Sequence, residues 1–334
     1  MSFDRYLFIG LGGSGGSTLG HLKEALSGWL EEQGHESGIP SGWQFLHIDT
    51  PTVADTSPKL PDDEYLGLIG AGVQYSNVQS MLDGDPALHD EIQTWRVDPA
   101  ALPVSLSMGA GQFRAIGQTV SIAYARKIRN RIGQSIGRLS QGQSTAEIGE
   151  VYQKATKETP GTKSPLRIVV ISSLAGGTGA GLLQTVCDIV RAMGTEASEQ
   201  IFAILYTPEV FQSLGAASTG GVQPNSLAAI CELLNGYWWN GATTLDAGGV
   251  VTEPKESAIM LQAGLPQALP ASGPAYPFLV GRVGQGGVDH GTPQDLFSMV
   301  GRSILSWVTD ETVQRDFIAY TIANWQSSAE NHLM

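Results

Sequence analysis

Phosphate is held well where backbone N–H groups converge at the start of a helix, because the unpaired donors and the helix dipole both favour negative charge. Glycine suits such a turn, since it adopts unusual backbone angles and lets phosphate oxygens approach without a side chain intervening. Three stretches of this sequence share the grammar of apolar run, glycine cluster and helical periodicity. The first is Tyr6-Leu7-Phe8-Ile9 followed by Gly10-Leu11-Gly12-Gly13-Ser14-Gly15-Gly16, then Leu19, Leu22, Leu26 and Leu30 at helix spacing. The second is Leu106-Ser107-Met108-Gly109-Ala110-Gly111, leading into a helix over about 115–132. The third is the run 166–173, then Ala175-Gly176-Gly177-Thr178-Gly179-Ala180-Gly181, with Leu183, Val186, Cys187, Val190 and Met193 on one helical face.

Elements that place three such turns together must bring strand ends to one edge. Further strands are expected at 43–48, 201–206 and 276–280. Continuous apolar strands alternating with helices predict an α/β fold: a three-layer, Rossmann-like parallel sheet with helices on both faces. Polar stretches at about 134–165 and 237–275 read as excursions from this core. A helix over 293–308 completes a first unit of 1–308, and a second helix over about 311–327 lies in a C-terminal segment, 309–334. The uncharged run 168–187 is long enough to imitate a membrane span, but its four glycines, two serines and two threonines read as strand, loop and helix.

Glycine supplies 42 of the 334 residues, where about 23 are expected. Eleven lie in the three loops, and 14 more fall between Gly215 and Gly291. Charged residues make up 15%, below the usual ~25%, which suggests much buried or partner-covered surface. The net charge of −13 argues against nucleic acid or an anionic membrane as general partners. Cys187 and Cys231 sit singly in apolar stretches, so a reducing cytoplasm is expected, without a secretory leader or an integral membrane segment. The six histidines show no metal-ligand spacing, and no Gly-x-Ser-x-Gly elbow occurs.

One glycine loop alone is ambiguous. Gly10-x-Gly12-x-x-Gly15 fits a dinucleotide fingerprint, and Gly10-x-Gly12-Gly13-x-Gly15 fits the ATP loop of ubiquitin-activating-type adenylating enzymes. An NAD- or ATP-binding enzyme therefore stays open, although it leaves two loops unexplained. The third loop lacks the Lys-Ser or Lys-Thr ending of a P-loop. Ala175 to Gly181 instead resembles the tubulin and FtsZ motif Gly-Gly-Gly-Thr-Gly-(Ser/Thr)-Gly, departing at Ala175 and Ala180. The order of the loops also agrees with that superfamily, and the chain looks closer to divergent bacterial tubulin-like proteins than to tubulin.

The resemblance implies a tubulin/FtsZ-type GTPase domain that binds GTP or GDP with Mg²⁺. It implies that Gly12, Gly13, Ser14, Gly15 and Gly16 hold phosphates together with Ala175, Gly176, Gly177, Thr178, Gly179, Ala180 and Gly181. Gly109, Ala110, Gly111 and Gln112 would sense the γ-phosphate. Ser17 stands where FtsZ proteins place an asparagine. Thr207-Pro208-Glu209 corresponds to the ribose-side loop, and Asn225, opening a helix with Pro224, to the asparagine that reaches guanine. Asp49 would coordinate Mg²⁺ through water or cap a turn. Glu209 has a solvent-facing alternative, Asn225 an N-capping one, and Arg114 is read either as a solvated helix-start arginine or as a charge stabiliser.

The family's acidic catalytic loop is not recognisable. Asp310, Glu311 and Asp316 lie in the right region at a different spacing. The chain stops where the family's second domain would begin, and Trp307 and Trp325 are candidate contacts for that domain or for a partner. Between Asp98 and Glu147 the segment carries six basic residues and no acid, while 49–64 carries five acids against Lys59. Opposite patches of this kind suit head-to-tail contact between copies. The expected function is a self-assembling GTPase, producing GDP and phosphate. The alternative is a scaffold that binds guanine nucleotide and a protein partner without hydrolysis.

Overall fold

The computed structural model describes residues 2–98, Ala100, 105–198, 200–215, 219–238, 244–245, 251–252, 258–265, Leu269 and 272–321. In chain order the elements are β1 (Arg5–Leu11), α1 (Gly12–Glu32), β2 (Trp43–Asp49), β3 (Tyr65–Gly67), α2 (Tyr75–Leu82), α3 (Pro86–Ile92), α4 (Arg114–Ala123), α5 (Ala125–Leu139) and α6 (Gly142–Thr156). There follow β4 (Leu166–Ser173), α7 (Gly177–Ala192), β5 (Ile201–Tyr206), α8 (Val222–Trp238), β6 (Thr244–Leu245), β7 (Val251–Thr252), α9 (Ala258–Ala263), β8 (Tyr276–Val280), α10 (Pro293–Thr309) and α11 (Glu311–Thr321).

Six parallel strands form one sheet in the order β3-β2-β1-β4-β5-β8, so every strand leaves the sheet at the same edge. Side chains of β1 alternate between two cores. Leu7, Ile9 and Leu11 join a cluster with α4, α5 and α7, and Tyr6 and Phe8 join another with α1, α6 and α10. This is the three-layer α/β sandwich expected from the apolar runs, and the strands expected at 6–9, 43–48, 166–173, 201–206 and 276–280 form. The short edge strand β3 had too little apolar length to be read.

Three expectations are corrected. The run 106–108 is a 3-10 turn and no strand, and the helix after it breaks at Tyr124 into α4 and α5. Gln134 to Pro165 is no excursion: α5 continues to Leu139, and α6 buries Ile148, Val151 and Tyr152 against Phe3 and Trp43. Trp307 is buried against Tyr6, Phe202 and Phe317, so α11 of this chain already covers it. Trp325 lies outside the described residues, as does most of 239–271. No helix among the described residues is long and apolar enough to cross a membrane.

Candidate functional site

All three glycine turns meet at the edge where the strands end, around a cleft of about 200 Å³. β1 passes into α1 with no intervening turn, because Gly12 takes a φ of +66°, which L side chains rarely adopt. Leu11 occupies the N-cap and offers no side-chain acceptor, so the first-turn N–H groups of α1 carry no capping partner. Gly12, the exposed Gly13 and the half-buried Ser14 line the cleft.

Gly15 and Gly16 have a different task. A Cβ on Gly15 would fall 2.4 Å from the Ile171 carbonyl oxygen, and one on Gly16 would fall 2.3 Å from the His47 ring. They let α1 lie close on the sheet and stand away from the cleft lining, as does the buried Ser17.

The third turn divides in the same way. Gly176, Gly177, Thr178 and Gly179 line the cleft. Gly176 is an N-cap without side-chain bonds, so no side chain caps α7, and beyond Gly177 its first-turn donors, Thr178 and Gly179, stay open as in α1. Ala175 donates its N–H to Ser173 Oγ at 3.0 Å, and Gly177 donates to the Gly111 carbonyl at 3.0 Å, which ties the second turn to the third. Ala180 packs into the core, and a Cβ on Gly181 would fall 2.5 Å from the Gln118 nitrogen of α4. Thr178 and Thr50 share a hydroxyl–hydroxyl hydrogen bond at 2.9 Å.

Gly109 (φ +97°) and Gly111 (φ +55°) bend the second turn so that Gly109, Ala110 and Gly111 face the cleft. Helix α8 holds this turn from outside. Gln112 Oε1 accepts from the Gly221 N–H at 2.7 Å. Asn225 donates from Nδ2 to the carbonyls of Gln112 (2.8 Å) and Ala175 (2.9 Å), and its Oδ1 accepts from the Arg114 N–H at 3.4 Å. The capping role for Asn225 is corrected: α8 begins at Val222, and Asn225 lies inside its first turn. Arg114 is likewise no solvated arginine, being buried with its guanidinium paired to Glu232 of α8 and bonded to Gln118.

Asp49 and Asp55 bring two carboxylates to the cleft beside the glycine amides. Asp49 Oδ1 accepts from the Thr50 N–H at 2.7 Å. Asp55 went unrecognised as a site residue in the sequence, because it follows no motif and only the path of 50–64 carries it there. Burial, together with the charges of Asp49 and Asp55, pushes the Tyr65 hydroxyl above its usual range, so the phenol stays protonated. Its hydroxyl donates to the Pro51 carbonyl at 2.6 Å and braces this segment. His47 was also missed; buried beneath α1, it places Nε2 3.1 Å from the Gly12 carbonyl oxygen.

Pro208 and Glu209 form a 3-10 turn after β5, and Glu209 Oε1 accepts from the Arg282 N–H at 2.7 Å instead of facing solvent freely. Asp310, Glu311 and Asp316 stand at the other end of the sheet. Asp310 Oδ1 accepts from the N–H groups of Thr312 and Val313, capping α11. Glu311 accepts from the Tyr152 hydroxyl at 2.7 Å, and Asp316 is exposed beside Arg315. Tyr152 packs on Phe3, ahead of β1, while the cleft begins at Leu11, a strand length of roughly 20 Å away.

The oppositely charged segments adjoin one another within the chain. Arg131 donates to the Asp63 carbonyl, Lys127 donates to the Gly67 carbonyl at 2.6 Å, and Glu64 pairs with Lys23 at 2.6 Å. Arg131 and Lys127 of the basic segment are thus already engaged within the chain, which weakens the charge pattern as an argument for head-to-tail contact.

Two uncapped helix starts, a glycine lining and two carboxylates suit a polyphosphate with an accompanying divalent cation. A family model described as tubulin-like matches residues 7–333. CetZ from Methanosaeta thermophila is 12% identical, with a TM-score of 0.46 over 96% of this chain and 59% of that one. CetZ2 from Haloferax volcanii, solved as a GTPγS-bound protofilament, is 14% identical, with a TM-score of 0.41 over 92% and 61%. TubZ from Bacillus thuringiensis serovar israelensis, solved as a GTPγS-form protofilament, is 10% identical, with a TM-score of 0.43 over 92% and 56%. The chain thus spans somewhat over half the length of these structures. No curated protein matches it.

Proposed function

Because this chain belongs to the tubulin-like family, we propose that it binds a guanine nucleotide in the cleft between the starts of α1 and α7, hydrolyses GTP, and assembles head-to-tail. The observation that carries the reading is the meeting of all three glycine turns, with uncapped helix starts at α1 and α7. Backbone donors of Gly12 to Ser14 and of Gly176, Thr178 and Gly179 bind the phosphates, and Thr178 is held by Thr50 in position to contribute its hydroxyl. The turn Gly109 to Gly111, locked to Gly177 and braced by Asn225, faces the terminal phosphate.

The residues fit a magnesium nucleotide. Asp49, with Asp55 close by, would hold Mg²⁺ through water, and the ion would offset charge on the phosphates. Melting with GTP, GDP, ATP and NAD tests the assignment, since ligand at about 100 times Kd stabilises by about 2.7 kcal/mol. A shift with ATP or NAD and none with guanine nucleotides overturns it.

Asp310 and Glu311 lie at the end of the sheet opposite the cleft, which suits completion of a neighbour's site by head-to-tail stacking. Their carboxylates are also engaged within the chain, and this favours a second reading as a scaffold that binds nucleotide without hydrolysis. Phosphate release per subunit that rises with protein concentration supports the GTPase. Release that stays flat at background supports the scaffold.

A further inference from the structure

We propose that His47 is a positioning residue for the phosphate site: it holds the Gly12 carbonyl and thereby aims the Gly13 N–H into the cleft. This rests on the phosphate reading of the cleft given above. His47 lies on β2 opposite Gly10 of β1, directly under the start of α1. Its ring is fully buried, with Nε2 at 3.1 Å from the Gly12 carbonyl oxygen. A carbonyl only accepts, so Nε2 is the donor in this bond. Nδ1 is buried and has no partner among the described residues, so the bond to Gly12 is the ring's polar contact with the loop. Asp49 Oδ2, at 3.7 Å from Nε2, is too far to share that proton.

The Gly12–Gly13 peptide is trans, and across a trans peptide the carbonyl and the next N–H point in opposite directions. With the carbonyl turned down to His47, the Gly13 N–H turns away from the sheet, where Gly13 is exposed and lines the cleft. It belongs to the first turn of α1, so no helical carbonyl takes it. Gly12 opens α1, so the helix that follows also holds its carbonyl. The imidazole adds the side-chain part of that hold. Without it, the peptide beside a φ +66° glycine is less firmly fixed, and its carbonyl oxygen, which a phosphate repels, is freer to tilt toward the cleft.

The ring itself is seated by two neighbours. Tyr65 meets it edge-on at 5.0 Å, and the missing Cβ of Gly16 leaves it room, since that atom would lie 2.3 Å from His47 Cε1. Gly16 thus serves the phosphate turn through His47.

The test compares GDP and guanosine affinities of wild type, His47→Leu and His47→Gln, with unliganded melting as the folding control. His47→Leu is expected to lose about tenfold or more in GDP affinity and little in guanosine affinity. His47→Gln, whose amide nitrogen replaces Nε2, is expected to stay within about threefold of wild type for GDP. If His47→Leu fails to fold, Gly16→Ala serves in its place, with the same loss expected from displacement of the ring. Folded His47→Leu or Gly16→Ala with wild-type GDP affinity overturns the assignment, as does His47→Gln as weak as His47→Leu. Wild type that binds no GDP removes the site itself; wild type that binds while His47→Leu binds equally removes only the role of His47.

Discussion

Gly12 at the start of α1 and Gly179 in the first turn of α7 touch: a Cβ on Gly12 would fall 2.9 Å from the Gly179 nitrogen. Far apart in sequence, they bring two uncapped helix starts to one cleft, where their partial positive charges add.

Substitution in this turn should separate its glycines. Gly12→Ala meets both a positive φ and the Gly179 backbone, and should cost about 1–3 kcal/mol with loss of GDP affinity. Gly13→Ala meets nothing within 4 Å and should change stability by no more than about 0.5 kcal/mol. Urea unfolding of the two variants measures the difference. Equal costs would mean that the closeness of α1 and α7 is unimportant.

Asn225 joins the second and third turns through three hydrogen bonds with backbone groups. Asn225→Ala should cost about 1–3 kcal/mol by stranding them. Asn225→Asp should cost more, because it sets carboxylate oxygens against the carbonyls of Gln112 and Ala175. Chemical denaturation of both variants gives the order, and an aspartate milder than alanine would refute the bond directions.

The buried Arg114 and the Glu232 carboxylate form an ion pair between α4 and α8. A double-mutant cycle with Arg114→Ala and Glu232→Ala should show coupling of about 1–2 kcal/mol. Strict additivity would show that the pair contributes nothing to holding α8 on the second turn.

Burial pushes the Asp188 carboxyl up to about 6, although it accepts from the Gly273 N–H at 2.6 Å and from Ser272. Between the ordinary value of 3.8 and about 6, the folded chain keeps a proton that the unfolded chain has released. Its contribution to stability is therefore complete below about pH 4 and falls as pH rises to 6, by about 1–3 kcal/mol. Urea midpoints from pH 4 to 7 should show this fall in wild type and a flatter profile in Asp188→Asn. Parallel profiles would remove Asp188 as the cause.

Much of the fold was legible because its signals are local. Apolar runs such as Leu166 to Ser173 can only be sheet buried on both faces, and Leu19, Leu22, Leu26 and Leu30 can only be one face of a helix. The glycine turns were legible as a class for the same reason. What each glycine does was not: Gly13 and Gly16 read alike, yet one lines the cleft and the other admits an imidazole from β2. His47 and Asp55 carried no motif, so their spacing along the chain could not announce them.

The sequence by itself determined the alternation of strand and helix, the three glycine turns before helices, and the family those turns resemble. These depend on periodicity and on residue type within a few positions. Only tertiary structure decided which groups meet. It committed Asn225 to the backbone and Arg114 to Glu232, and it put the acids Asp310 and Glu311 at the far end of the sheet. It also laid the basic α5 beside the acidic segment within one chain. Hydrogen bonds and charge pairs act over a few ångströms, and which residues come that close is fixed by how the helices pack on the sheet.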